Sequence, residues 1–253
     1  MHWGDINKLF FNISKCNVMS FTKRKTPIVF PYTINNMLLN RPALITDLGV
    51  TFDSQLSFVP HVSKVVSSCF KTYGFIVRNT KQFNDSSTLI LLFKFFVSSK
   101  LEYASVVWFP SYNTHIVSLE RVQRKFLRFL CYREDGIYPV IGVSHKALLD
   151  RFNFFSCLDR VTCARCLFLA KLLRGDIDAP EILSKVPINA NIRTKRLRQT
   201  SIFYLPAART NVALFSPLHK MCALVNVNKN FDIFADSYKK ISSHILPQSI
   251  NSH

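Results

Sequence analysis

The sequence predicts an α+β chain that is mostly α: a small antiparallel sheet at the start, then a helical bundle, then a further, mainly helical region. Three observations predict it. Short β-prone runs between turn residues fill residues 1–53, and from residue 57 the apolar positions change to helical spacing. The composition is 48% hydrophobic with 23 Phe in 253 residues, which supplies real cores and excludes intrinsic disorder. Only 6 Gly and 11 Pro exclude a collagen-like or low-complexity chain.

The elements follow in order. Cys16 to Thr22 alternates as a strand would, and the basic turn Lys23-Arg24-Lys25-Thr26-Pro27 ends it. Ile28 to Ile34 reads as a second strand, placed at an edge or a bulge because Pro31 cannot donate to a ladder. Asn35-Asn36 is turn chemistry. A third strand is expected over Leu48-Gly49-Val50-Thr51-Phe52, ending at Asp53. A helix is expected over 57–80 with Ser57 as its N-cap. A second, capped by Asp85-Ser86-Ser87, is expected to be buried and to run on to Trp108, where Pro110 stops it. Further helices are expected over about 114–132, near 144–152, and over about 157–173 with Gly175 as the stop. The domain reading is 1–53, 54–133 and 134–253.

The chain carries 33 Lys+Arg against 15 Asp+Glu, a formal charge of +18. Most of the excess sits in two stretches: 54–133 has 11 basic and 3 acidic residues, and 189–209 has 5 basic and none acidic. Such clustering makes a polyanion the expected partner. Leu89 to Trp108 is the best membrane candidate, but Lys94, Lys100 and Glu102 interrupt it, so no membrane partner is expected. Seven scattered Cys and no basic-then-apolar opening point to free thiols inside the cell, in nucleus or cytoplasm.

The helix at 114–132 carries the sharpest signal. Arg121, Arg124, Lys125 and Arg128 share one narrow sector, and Leu119, Val122, Phe126, Phe129 and Leu130 lie roughly opposite. Four like charges on one face repel one another, and a polyanion would relieve that repulsion; the alternative is an ordinary solvated face. Arg193, Lys195, Arg196, Arg198 and Arg209, with Phe203 and Tyr204 among them, form a single-strand or RNA-binding composition or an exposed basic loop. Cys163-Ala-Arg-Cys166, with Cys157 upstream, lacks a second ligand pair for zinc and reads as buried thiols in an apolar helix. Glu134-Asp135 reads as a helix exit, and Asp176 and Asp178 as loop acids. There is no phosphate-binding glycine loop, no G-x-S-x-G and no H-E-x-x-H, so the residues show no complete catalytic constellation and no metal site.

Several segments nevertheless match one family in order. Asn12-Ile-Ser-Lys15-Cys16-Asn-Val-Met19-Ser-Phe21 resembles the LN-x-x-KC-x-x-M-x-F segment of jockey-type non-LTR retrotransposon reverse transcriptases. The resemblance continues through Asp47-Leu-Gly-Val-Thr-Phe-Asp53, Leu56-Ser-Phe58 and His61. It extends over Leu101-Glu-Tyr-Ala-Ser-Val-Val-Trp108 and Leu119-Glu-Arg-Val-Gln-Arg-Lys-Phe-Leu-Arg128, then Arg209-Thr-Asn211, Ser216-Pro217 and Asp232-Ile-Phe234. It implies the C-terminal portion of an RNA-directed DNA polymerase: end of palm over 1–53, thumb over 54–133, and the region beyond over 134–253. Lys15 would correspond to the motif D lysine, on a strand at 15–22. Leu48, Gly49 and Val50 would correspond to a primer-grip-like strand, where Gly49 allows close approach of the primer or simply forms a bulge. Arg121, Arg124, Lys125 and Arg128 would be the phosphate contacts of the thumb. The intact enzyme's Mg²⁺ is held by upstream aspartates that this sequence does not contain. The chain alone is therefore expected to be inactive, to need no cofactor, and to bind template–primer nucleic acid, RNA, DNA or hybrid, without sequence preference. The alternative is a helical protein-interaction module, centred on the charge-balanced segment 134–188, with no polymerase role.

Overall fold

The structure, a computed structural model, describes residues 6–8, 12–24, 26–83, 85–139, 142–189 and 201–246. It is α+β and mostly α, as the sequence predicts. The chain divides into two compact units, residues 1–65 and 66–253, with the division inside a helix.

The first unit holds two separate two-stranded antiparallel sheets. β1 (Thr33–Ile34) pairs with β2 (Met37–Leu38). Asn35 and Asn36 join them, both at positive φ (49° and 62°), which is the backbone that a two-residue hairpin turn demands and that Asn tolerates. β3 (Leu44–Asp47) pairs with β4 (Val50–Asp53), with Asp47 opposite Val50 and Thr46 opposite Thr51. β4 carries the buried side: Val50 and Thr51 are buried. The Thr51 N–H donates to Nδ1 of buried His61 at 3.2 Å. Burial and the charge of Lys64 push the His61 pKa down, so the ring stays neutral and can accept that bond.

The strand expectations need correction. Residues 16–22 do not form a strand. They make one isolated bridge, from Asn17 to Asn40, and a bond from Thr22 N–H to the Ser54 carbonyl at 3.0 Å; alternation alone does not supply a neighbour to pair with. Of Ile28–Ile34 only the last two residues pair, because Pro31 offers no donor and the stretch before it is exposed. Leu48 and Gly49 are not in a strand but form the tip of the β3–β4 hairpin, at φ 44° and 81°; the partner strand Leu44–Asp47 was not expected.

The second unit is helical. α1 (Val59–Asn79) leads into it, starting two residues later than expected. Asp53 is the acceptor at that start, taking the N–H groups of Ser57 and Phe58. α2 (Ser86–Phe93) is capped by Asp85, whose side chain accepts from Ser87 and Thr88 N–H. The single helix expected from there to Trp108 is broken. A π-turn spans Lys94–Ser98, with Ser99 N–H bonded back to the Lys94 carbonyl. α3 (Ser99–Glu102) then ends where Ala104 adopts φ 51°, and α4 (Ser105–Trp108) restarts. Trp108 Nε1 donates to the Tyr103 carbonyl at 2.7 Å, satisfying a group that the break frees. Nor is this run wholly buried: Leu91, Phe95, Phe96 and Tyr103 are exposed.

α5 (Asn113–Asp135) ends on Gly136 in the left-handed region, α6 (His145–Arg151) is capped by Ser144, and α7 (Cys157–Leu173) by Ser156. After α8 (Pro180–Leu183) and α9 (Asn211–Leu214), α10 (Pro217–Val227) and α11 (Tyr238–Ile245) both pack on α7. Phe93 stacks on Phe126 at 3.9 Å between ring centres, and Phe154 closes on both rings edge-on or tilted. A second cluster joins Cys166, Leu169, Phe203, Cys222, Ile233 and Ile241, all fully buried.

Candidate nucleic-acid interface

α5 has the two faces its sequence predicts. Leu119, Val122, Phe126, Leu127, Phe129 and Leu130 are buried, and the four cations lie on the other side but are not equivalent. Arg121 and Lys125 are exposed. Lys125 Nζ stands over the rings of Phe70 and Tyr73 of α1, at 5.5 and 5.7 Å from their centres, which fixes its stem while its head stays in solvent. Arg124 and Arg128 are partly buried and occupied: Arg124 donates to the Val143 carbonyl at 3.1 Å and Arg128 to the Pro139 carbonyl at 3.2 Å. They hold the segment that follows α5 against the helix. Arg133 does similar work, donating to the carbonyls of Thr80, Lys81 and Phe83 beyond α1.

The carboxylates of this stretch decide its electrostatics. Residues 66–133 hold ten basic and three acidic side chains, and each acid is engaged elsewhere. Asp85 caps α2. Glu102 pairs with Arg160 at 2.7 Å. Glu120 accepts the N–H groups of Cys157 and Leu158 at 2.6 and 3.3 Å and contacts His145 Nε2 at 3.0 Å. None of the ten cations forms an ion pair among the described residues. Lys71, Arg78, Lys81, Lys94, Lys100, Arg121 and Lys125 are exposed, and none of them is neutralised by a carboxylate among the described residues.

Of the other expected site residues, Lys15, Leu48, Gly49 and Val50 belong to the first unit. Lys15 is exposed at the end of a short 3-10 turn, Ile13–Lys15, rather than on a strand. Leu48 is 82% exposed at the hairpin tip, and Val50 is buried beneath it. Arg193, Lys195, Arg196 and Arg198 lie outside the described residues. Cys157, Cys163 and Cys166 are free and buried on α7. Burial pushes the Cys157 and Cys166 thiols up to about 12, so neither is a thiolate near neutrality. Among the described residues no group of three or more His, Cys, Asp or Glu could hold a metal ion, and no described helix is long and apolar enough to cross a membrane.

The residues that sequence reading missed are the polar ones on the inner side of α5. Gln123 is fully buried. Its Nε2 donates to the Phe155 carbonyl at 2.9 Å and its Oε1 accepts from Arg160 at 2.8 Å. With Glu120 it ties α5 to the start of α7. Arg151 grips Asp135 with two bonds of 2.7 Å and Glu134 with a third, locking α6 to the end of α5. A Glu and a Gln at i and i+3, next to apolar positions that face the core, were the available signal.

Comparison with known proteins gives no further guide: no family model, no curated protein and no solved structure matches the chain.

Proposed function

We propose that the chain binds nucleic acid without sequence preference, as the thumb-containing C-terminal portion of a non-LTR retrotransposon polymerase would, and that it adds no nucleotides by itself. One observation carries the binding reading: the seven exposed cations of residues 71–125 form no ion pair among the described residues, because all three acids of 66–133 are bound to helix starts, an arginine or a histidine. A phosphate backbone is the partner that such a surface favours, and binding would release its counterions. The order of the segments resembling the retrotransposon enzymes supports the polymerase origin. The sequence lacks the aspartates that would hold catalytic magnesium, so no phosphoryl-transfer step is assigned to it.

The test is the salt dependence of affinity for a fluorescent single-stranded 20-mer and its duplex. Log affinity should fall linearly with log salt, and the joint change Arg121→Ala, Lys125→Ala should flatten the slope by about 1.5–2 units. Arg124→Ala with Arg128→Ala should instead lower stability first, since those side chains hold carbonyls. A salt-independent affinity, an unchanged slope in the exposed pair, or primer extension by the chain alone would overturn the reading.

A further inference from the structure

Two cations in the second unit, Arg165 and Lys220, reach one short segment, Phe109 to Ser111, and neither forms an ion pair among the described residues. Arg165, on α7, is 5% exposed. One of its terminal nitrogens donates to the Phe109 carbonyl at 3.5 Å, and the guanidinium lies 5.9 Å from the centre of the Phe109 ring. Its Nε–H has no hydrogen-bond partner among the described residues. Lys220, on α10, is partly buried and reaches the same short segment. Its ammonium donates to Ser111 Oγ and stands 5.2 Å over the Phe215 ring. Burial, then the charge of Arg165, pull its pKa down to about 8. Every Asp and Glu of residues 66–253 lies among the described residues, and none is within ion-pair distance of either cation.

A buried guanidinium with an orphaned donor is costly unless something pairs with it, and a neighbouring ammonium raises the cost. What the place lacks is an anion. The donors on offer are single ones from three chain segments: an Nε–H from α7, an ammonium N–H from α10, and the Ser111 O–H, which remains free to donate while its oxygen accepts from Lys220. Three separate donors suit a tetrahedral oxyanion, which presents an oxygen to each. A planar carboxylate would need the two-pronged guanidinium edge, part of which is already spent on Phe109. We propose that Arg165, Lys220 and Ser111 form a binding site for a phosphate group, supplied either as free phosphate or as a backbone phosphate of nucleic acid. Only the second source rests on the nucleic-acid reading above.

The experiment uses the full chain. Thermal unfolding is compared in chloride and in inorganic phosphate at equal ionic strength and pH 7, and anisotropy of a labelled single-stranded 12-mer is followed alongside. Phosphate should raise the midpoint temperature saturably, and Lys220→Met and Ser111→Ala should each weaken its half-saturation at least about tenfold. In chloride, Lys220→Met should be no less stable than the parent, since it removes an uncompensated charge. If that variant does not fold, Ser111→Ala decides alone. Stabilisation by phosphate without displacement of the 12-mer identifies free phosphate as the ligand. Displacement by phosphate, with several-fold weaker 12-mer binding in the variants, identifies the backbone. If phosphate does not stabilise the parent and the variants bind the 12-mer as it does, the site is refuted, whatever the Arg121/Lys125 surface does.

Discussion

Glu120→Ala tests whether α5 and α7 are held by the carboxylate that sequence reading passed over. Glu120 lies on α5, with 15% of its side chain exposed. One oxygen accepts the first two N–H groups of α7, from Cys157 and Leu158, at 2.6 and 3.3 Å; the other meets His145 at 3.0 Å. Alanine leaves those N–H groups without their acceptor. The loss of a charge-assisted bond costs about 2 kcal/mol, the favourable placement of a negative charge at a helix start about 0.5–1, and the buried methylene close to another 1. Ser156 still accepts the Asp159 N–H at 3.0 Å, so the helix keeps part of its cap, and the net expectation is a loss of about 3 kcal/mol. Urea unfolding reads this as a lower midpoint at unchanged slope, and the thermal midpoint should fall by roughly 6–12 °C. Amide exchange at Cys157 and Leu158 should accelerate on the order of a hundredfold. Glu120→Gln keeps an acceptor but not the charge, and should lose about half as much. A loss below about 1 kcal/mol for the alanine variant, with unchanged exchange at those two amides, would refute the reasoning.

Two further outcomes follow from the first unit. Leu48 sits at the hairpin tip at φ 44° with its side chain in solvent, so Leu48→Asn should stabilise the β3–β4 ladder by about 0.5–1 kcal/mol, read as slower exchange of the Ile45 and Phe52 amides, which face each other across the ladder; a loss of protection would show that the leucine itself holds the turn. For Asp53, burial raises the carboxyl pKa, but N–H donors from Ser57, Gln55 and Phe58 and the Ser57 hydroxyl outweigh it, and the net pKa falls below its ordinary 3.8. The group therefore contributes stability that is fully present above the unfolded pKa and lost as pH falls through the lower folded pKa. Asp53→Asn should flatten the acid limb of an unfolding curve below about pH 4 by roughly 1 kcal/mol; an unchanged limb would contradict that account.

The parts of the fold legible in the sequence are those written in local chemistry. The extent of α7 is legible because its apolar run stops just before Gly175; its cap, Ser156, is added by the structure. α5 was legible because five large apolar residues repeat on one side and Gly136 follows. The failures have a common cause, which is that the deciding partner is distant in the chain. Apolar periodicity cannot register a π-turn at Lys94–Ser98 or a left-handed Ala104, since Ala is the strongest helix former by propensity and only tertiary packing overrides it. The strand Leu44–Asp47 is the exception: its partner is the next strand in the chain, and it is not legible because its turn is Leu-Gly rather than Asn-Gly.

The basic face of α5 shows the same division on the scale of the candidate site. Its four cations could be placed on one side from their spacing alone, but spacing is blind to the segment 137–143, and that segment takes Arg124 and Arg128 out of solvent-facing duty. What makes the remaining cations consequential is likewise invisible in a count of charges. The three carboxylates of 66–133 are near in sequence, and a local reading would let them neutralise Lys94, Lys100 or Arg121. The fold directs them instead to the start of α2, to Arg160 and to the start of α7. The acids thus stabilise the helical unit from within, and the same bonds leave the cations of 66–133 without an ion pair among the described residues. Glu120→Ala cuts into this coupling from one end and Arg121→Ala with Lys125→Ala from the other. If the coupling is as described, the first lowers stability while the folded fraction keeps its salt slope, and the second changes the slope at unchanged stability.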